Sequence, residues 1–342
     1  MATILQDLRW RQAYITRLGC VEGCLDYLGH NPGRAWLFGG TGHAFVLNVH
    51  DDLCVSGPTA WNARMLFDLA SNLGYRVSGV QGWKDSLGPD FPKRQREAWD
   101  FVRSSIDRGI PCVGWQLEVP DYYVITGYDE VGYYYSGWGC DDGKGPLPWE
   151  RLGDWDVAAV EVYAIAPTDP ASSDPASSEK VVHDGLASAL RHADGPSDWV
   201  FPRYYAASRG FDVWADALES GLALREGHAY NALCWHECRE QAVAFLEEAR
   251  RRLPERYDDL LSDAARSYTA VRDALEALTR LHPMSGHDAD WSATLLSREA
   301  GGIVREAGVA EREGLAALRS LVALLESADP EASPHMVIDD RR

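Results

Sequence analysis

Positive charge is scarce in this chain: 33 lysine and arginine residues face 52 aspartate and glutamate residues, for a formal net charge of −19. Nucleic-acid surfaces rest on clustered Lys and Arg that neutralise phosphates, so that class of partner is excluded. Binding to an anionic membrane surface is disfavoured on the same ground. Long apolar runs are missing as well. No stretch of about 18 or more apolar residues occurs, so no transmembrane helix is expected. The N-terminal residues Met1 to Trp10 lack a basic segment followed by an apolar one, so no signal peptide is expected and the cytoplasm is the expected location. The acidic balance suits a cationic or neutral substrate, and an ordinary solvated surface accounts for it equally.

Paired cysteine motifs are also lacking. The seven cysteines stand at 20, 24, 54, 112, 140, 234 and 238, with no Cys-x-x-Cys among them. An odd count without a secretory signal argues against a disulfide framework. Cys20 with Cys24, and Cys234 with Cys238, share a helix face at i, i+4 spacing. Structural zinc sites usually take cysteines from turns, so these pairs read as buried small apolar residues and no metal is expected. His-Glu-x-x-His is absent too, and no motif recurs at a fixed period.

What is present divides the chain in two. Residues 167–180 are rich in Pro, Ser, Asp and Ala and carry Asp-Pro-Ala-Ser-Ser twice, which predicts a flexible linker between a domain at 1–166 and another at 181–342. In the first part the pattern predicts a helix from near Cys20 to Gly29, Gly-rich turns at Gly39 to Gly42, and a strand over 44–49. Helices over 59–73 and 95–108 follow, then strands at 111–117, 122–126, 132–136 and 157–165. Helices followed by a mostly antiparallel sheet make an α+β domain. In the second part 183–193, 205–224, 227–252, 255–281, 289–307 and 309–327 all carry helical spacing, which predicts an all-α bundle. His228, Asn231, His236 and Glu237 fall on one of these helices, where core and interhelical hydrogen bonds explain them. His287-Asp-Ala-Asp-Trp reads as a helix start, with carboxylates at the positive end of the dipole.

One constellation in the first part points to chemistry. Gly19 is expected to turn the chain sharply into a helix, with Cys20 in its first turn. Unpaired N–H groups and the helix dipole there favour a thiolate and can donate to an oxyanion. A buried packing thiol is the alternative.

Three segments carry a family resemblance: Gly19-Cys20 through Gly29-His30, then Trp36-Leu-Phe-Gly-Gly-Thr-Gly42-His43-Ala-Phe45, then Asp107 to Trp115 with Tyr122-Tyr-Val-Ile-Thr-Gly-Tyr-Asp129. Together they resemble the N-terminal domain of the butirosin-type acyltransferase family, over roughly residues 15–165. That family is papain-like and akin to the double-glycine peptidases. The stretch from Tyr230 to Glu240 looks like the all-α region attached in related proteins. The resemblance implies Cys-His-Asp chemistry: thiolate attack on an acyl group, then transfer to an amine or water. It implies a small-molecule substrate, natural products included, an acyl carrier protein as acyl donor and no cofactor.

The departures are specific. The histidine that opens the central strand matches Asp121, and Ser136-Gly137 stands where the third member, an Asp-Pro or Asn-Pro, belongs. Cys20 carries over as nucleophile. His43, after its Gly-rich turn, and Asp121 are the candidates for the proton-carrying role, a structural histidine being the alternative for His43. Trp36, Trp115, Gln116, Tyr122 and Asp129 are candidates for substrate contact in an aromatic cleft, although Asp129 also suits the cap of a Gly-Tyr-Asp turn. Gly137 to Gly145 is a Gly-rich acidic loop without calcium-ligand spacing. Two functions therefore stand open: cysteine-dependent acyl transfer or amide or thioester hydrolysis, or a catalytically inactive papain-like protein that binds a small ligand in the same cleft. For the helical part, covering that cleft and forming a homodimer interface are both open.

Overall fold

The computed structural model describes residues 1–155, 157–168, 176–284 and 294–328 of the 342. In chain order the elements begin with β1 (Thr3–Ile4), α1 (Thr16–Tyr27), α2 (Arg34–Gly40), β2 (Asn48–His50), α3 (Met65–Asp68), β3 (Tyr75–Trp83), α4 (Lys84–Leu87) and α5 (Phe91–Ile106). Next come β4 (Cys112–Trp115), β5 (Tyr122–Tyr128), β6 (Gly132–Gly137), β7 (Cys140–Pro148) and β8 (Ala159–Pro167). The chain continues with α6 (Ser178–Ala193), β9 (Tyr204–Ala206), α7 (Ala207–Ser220), α8 (Arg225–Arg252), α9 (Asp258–Leu281) and α10 (Thr294–Ala328). Among the described residues no helix is long and apolar enough to cross a membrane.

The protein is a mixed α+β molecule that divides into two compact units. The first is Met1–Phe38 with Ala63–Ala176, and the second is Gly39–Asn62 with Ser177–Arg342. The sequence places the whole of 1–166 in one domain, whereas here residues 39–62 group with the C-terminal helices. Within the expected linker, residues 169–175 lie outside the described residues, as does the helix start expected at His287.

The first unit is built on one antiparallel sheet in the order β3-β8-β4-β5-β6-β7, with β1 added on β5. In β5 every residue from Tyr122 to Gly127 is buried, the pattern of a central strand covered on both faces. Helices α1 and α5 pack on this sheet. The apolar positions of α5, Phe91, Ala98, Trp99, Val102 and Ile106, recur at helical spacing and face inward. Two strands depart from the sequence expectation. β3 pairs with β8 along its whole length, Tyr75 opposite Pro167 and Trp83 opposite Ala159. The expected acidic loop at 137–145 is largely strand β7, paired on β6 around a turn at Trp138 and Gly139. The helix expected over 59–73 is broken: α3 covers four residues, a 3-10 turn follows at Ala70–Leu73, and Trp61 forms a bridge with Val200 instead.

Helix α1 begins at Thr16 rather than near Cys20. Its interior glycines explain the extension. A Cβ on Gly19 would lie 2.3 Å from the carbonyl oxygen of Arg11, and one on Gly23 would lie 2.0 Å from that of Arg9. The glycines therefore let the helix lie directly on the backbone of residues 9–13, and Gly19 is not a turn.

The second unit is a helical bundle with the two-stranded sheet β2-β9 attached. Arg239 of α8 is wholly buried at its centre. It donates to both carboxylate oxygens of Glu311 on α10, at 3.1 and 2.8 Å, and to the carbonyl oxygens of Ala44 and Val46, at 3.0 and 2.8 Å. A charge without water is tolerated only when paired and hydrogen-bonded in this way, and the pairing fixes residues 44–46 onto the helices. Helix α10 runs through Gly308 without a break, where the sequence suggests two helices.

Candidate functional site

The strongest candidate lies where α1 meets the start of β5 in the first unit. Cys20 sits in the second turn of α1 and has no solvent exposure. At that depth its backbone N–H belongs to the helix ladder, so the expected oxyanion donor at the helix start is not formed by Cys20. Burial pushes its thiol well above the ordinary range, and the neighbouring Cys24, Asp121 and Cys140 push it the same way. A thiolate nucleophile needs the opposite surroundings.

Asp121, which directly precedes β5, is buried and held by its own neighbours. The Thr16 hydroxyl donates to its Oδ1 in a short contact, and the Tyr122 N–H donates to the same oxygen at 3.0 Å. The Tyr122 N–H also reaches Thr16 Oγ1 at 3.2 Å. Thr16 is the first residue of α1, so this group ties the helix start to the start of the strand. Burial raises the Asp121 carboxyl to about 7, the Thr16 hydrogen bond acting against the rise.

Beside this clasp is a polar network that the sequence pattern does not announce. The Arg17 guanidinium lies over the Tyr122 ring at 4.3 Å and over Phe67 at 5.5 Å. It donates to Tyr122 Oη and reaches Glu161 Oε2 at 3.4 Å. Tyr122 and Tyr163 donate to the same Glu161 oxygen at 2.5 and 3.2 Å. Burial raises the Glu161 carboxyl while Arg17 and Tyr163 lower it. One sequence signal points here: Glu161 is a lone charge inside the apolar run 157–165. Arg17, Leu18, Val21, Phe67, Val77 and Tyr163 border a cavity of about 10 Å³. That is about the space of one water, too little for an acyl group. Neither Cys20 nor Asp121 lines it.

The remaining predicted residues are placed as follows. His43 belongs to the second unit, where it opens a 3-10 turn at His43–Phe45 and packs its ring 5.3 Å from that of Trp61. Cys20 and Asp121 belong to the first unit. Trp36 is buried in α2. Trp115, at the end of β4, has its ring 4.9 Å from that of Tyr122. Gln116 is buried with a φ of 62° and donates through Nε2 to the Val157 carbonyl at 2.8 Å. Its Oε1 has no partner among the described residues. Asp129 accepts from the N–H groups of Val131 and Gly132 at 2.8 and 3.1 Å and from Tyr134 Oη at 3.0 Å, which makes it the cap of a turn. Those hydrogen bonds, the one from Val131 first, hold its carboxyl below the usual range. Ser136 of β6 is buried and accepts from the Trp10 N–H at 3.4 Å.

No family model matches the chain, and no curated protein matches it.

Proposed function

We propose that the first unit is a papain-like scaffold used for binding rather than for thiol chemistry. The observation that carries this reading is the clasp: Asp121 is held by Thr16 and stands beside a thiol with no exposure, and on the resemblance it takes the place of the base. Burial opposes thiolate formation there, and a neighbouring carboxylate opposes it further. The clasp has a structural task, joining α1 to β5, that needs no turnover. The ligand is a small molecule taken against the half-buried Trp115 at the end of β4.

Cysteine alkylation tests this reading. In the folded protein Cys20 is expected to resist iodoacetamide at every pH from about 6 to about 9, read by peptide mass spectrometry. Rapid modification at neutral pH, with an apparent pKa below the free-thiol value of about 8.5, would sink it.

The acyl-transfer reading keeps one observation in its favour. A carboxyl raised to about 7 can exchange protons at neutral pH, which suits a general base beside a thiol. On that reading an acyl thioester, a carrier-protein thioester included, acylates Cys20. A stable acyl adduct on Cys20 after incubation with such a thioester would favour it over binding alone.

A further inference from the structure

Among the described residues three tryptophans are exposed: Trp83 at 51%, Trp155 at 42% and Trp138 at 37%. All three lie at one end of the first unit's sheet. β3 ends at Trp83, opposite the start of β8. Trp155 precedes β8 by a few residues, and Trp138 is in the turn between β6 and β7. Val157 at 59% and Val119 at 38% are exposed at the same end.

Hydrogen bonds set these residues in a row. The Lys84 N–H donates to the Ala158 carbonyl at 2.9 Å, which places Trp83 beside Val157. Gln116 Nε2 donates to the Val157 carbonyl at 2.8 Å, and the Gln116 N–H to the Asp121 carbonyl at 2.9 Å. The Val119 N–H donates to Tyr123 Oη at 3.3 Å, and that hydroxyl donates to the Trp138 carbonyl at 3.4 Å. The row follows the strand order β3-β8-β4-β5-β6. At about 4.8 Å per strand it spans roughly 20 Å, the length of about six or seven residues of extended peptide.

Two observations identify what the row takes. The first is the state of the indole faces. Elsewhere three tryptophans carry one of the protein's own cations: Arg96 lies over Trp149 at 3.8 Å, Arg191 over Trp199 at 4.7 Å and Arg103 over Trp99 at 5.5 Å. Among the described residues no Lys or Arg lies over Trp83, Trp138 or Trp155. The second is the charge around the row. Asp85, Asp141, Asp142 and Asp154 adjoin the row along the chain, against Lys84 and Arg151, while Glu118 and Lys144 pair with each other. Lys84 lies 5.7 Å from the Phe91 ring centroid.

We propose that this row is a docking surface for an extended basic segment of a partner protein, whose Lys or Arg side chains lie on the three indole faces. Exposed indoles attract cations, the neighbouring carboxylates attract the same charge, and the exposed valines take the aliphatic stems; the Trp138 ring also lies 6.0 Å from that of Tyr14 and offers its remaining surface. The surface stands whether or not Cys20 is chemically inert.

The test is a titration of the full chain with a heptalysine peptide, read by tryptophan fluorescence and calorimetry. Heptaserine and spermine serve as comparison probes. Heptalysine is expected to bind, to weaken with added salt and to protect tryptophan from acrylamide quenching. Trp83→Ala, Trp138→Ala and Trp155→Ala each leave the net charge unchanged. Each is expected to weaken binding about three-fold, and the triple variant about thirty-fold, from the usual strength of exposed cation–π contacts. Circular dichroism confirms that the variants fold. Unchanged affinity in the triple variant would reduce the effect to bulk charge and overturn the proposal. Spermine binding as tightly as heptalysine would overturn the extended segment in favour of a small polyamine. Partition into uncharged phosphatidylcholine vesicles without peptide binding would overturn it in favour of a lipid interface. Should a variant fail to fold, the wild-type chain still decides: protection from quenching by heptalysine supports the proposal, and its absence overturns it.

Discussion

At the residue scale, Asp121 behaves unlike the usual paired carboxylate. Its folded-state value is raised to about 7, above the unfolded value of about 3.9. Between those two values the folded protein binds more protons than the unfolded chain, so this residue makes stability fall as pH rises from about 4 to about 7. Asp121→Asn is expected to flatten that part of the stability profile, measured by urea unfolding at a series of pH values. A profile identical to wild type would show that Asp121 does not titrate there. Asp121→Leu would leave the Thr16 hydroxyl without its acceptor and the Tyr122 N–H with Thr16 Oγ1 alone, at a cost of about 1–3 kcal/mol. Among the thiols, Cys54 and Cys140 are the partly exposed ones, while Cys20, Cys24, Cys112, Cys234 and Cys238 are buried. Cys54 and Cys140 are therefore expected to be alkylated before the others in the folded protein, which a time course by mass spectrometry would show.

At the element scale, helix α1 depends on two small residues. Gly19→Ala and Gly23→Ala each drive a methyl into the backbone of the preceding segment and are expected to lower stability by about 1–3 kcal/mol. Chemical denaturation reads this directly, and a neutral effect at both sites would contradict the close packing described. Arg239→Ala is expected to cost about 3–5 kcal/mol, because it leaves Glu311 buried and unpaired. The double change Arg239→Met with Glu311→Leu is expected to cost less than Arg239→Ala alone.

These elements also show what the sequence can and cannot reveal. The spacing of Phe91, Trp99, Val102 and Ile106 announces α5, and the apolar run at Tyr122 announces β5, since both patterns follow from which faces are buried. The start of α1 is not legible, because Gly19 reads as a turn until the backbone it rests on is known. β7 is hidden for a similar reason: Asp141, Asp142, Gly143 and Lys144 are exposed, and only pairing with β6 makes them strand. The site is half legible. Cys20 and Asp121 stand out by position. The Arg17, Glu161 and Tyr163 network joins elements distant in sequence and carries no local pattern beyond one misplaced charge.

At the scale of the whole molecule, the net charge of −19 makes like charges repel throughout the folded chain. Self-repulsion of this kind is screened by salt, so the melting temperature is expected to rise between about 20 and about 500 mM sodium chloride. A melting temperature that falls with salt would indicate that specific ion pairs outweigh the repulsion. A different consequence follows from the way residues 39–62 group with the C-terminal helices. When the ribosome has released the chain as far as Ala176, every strand of the large sheet has been made. Phe45, however, packs on Phe245 and Tyr268, and Arg239 is the anchor for the carbonyls of Ala44 and Val46. None of these three partners has yet been translated. For that interval Phe45, Val46, Leu47 and Val49 have no helices to bury them, although all four are buried in the finished protein. The order of synthesis thus creates a waiting period in which this apolar stretch is open to chaperones and to aggregation, and it closes as α7, against Leu47 and Val49, and then α8 and α9, against Phe45, emerge.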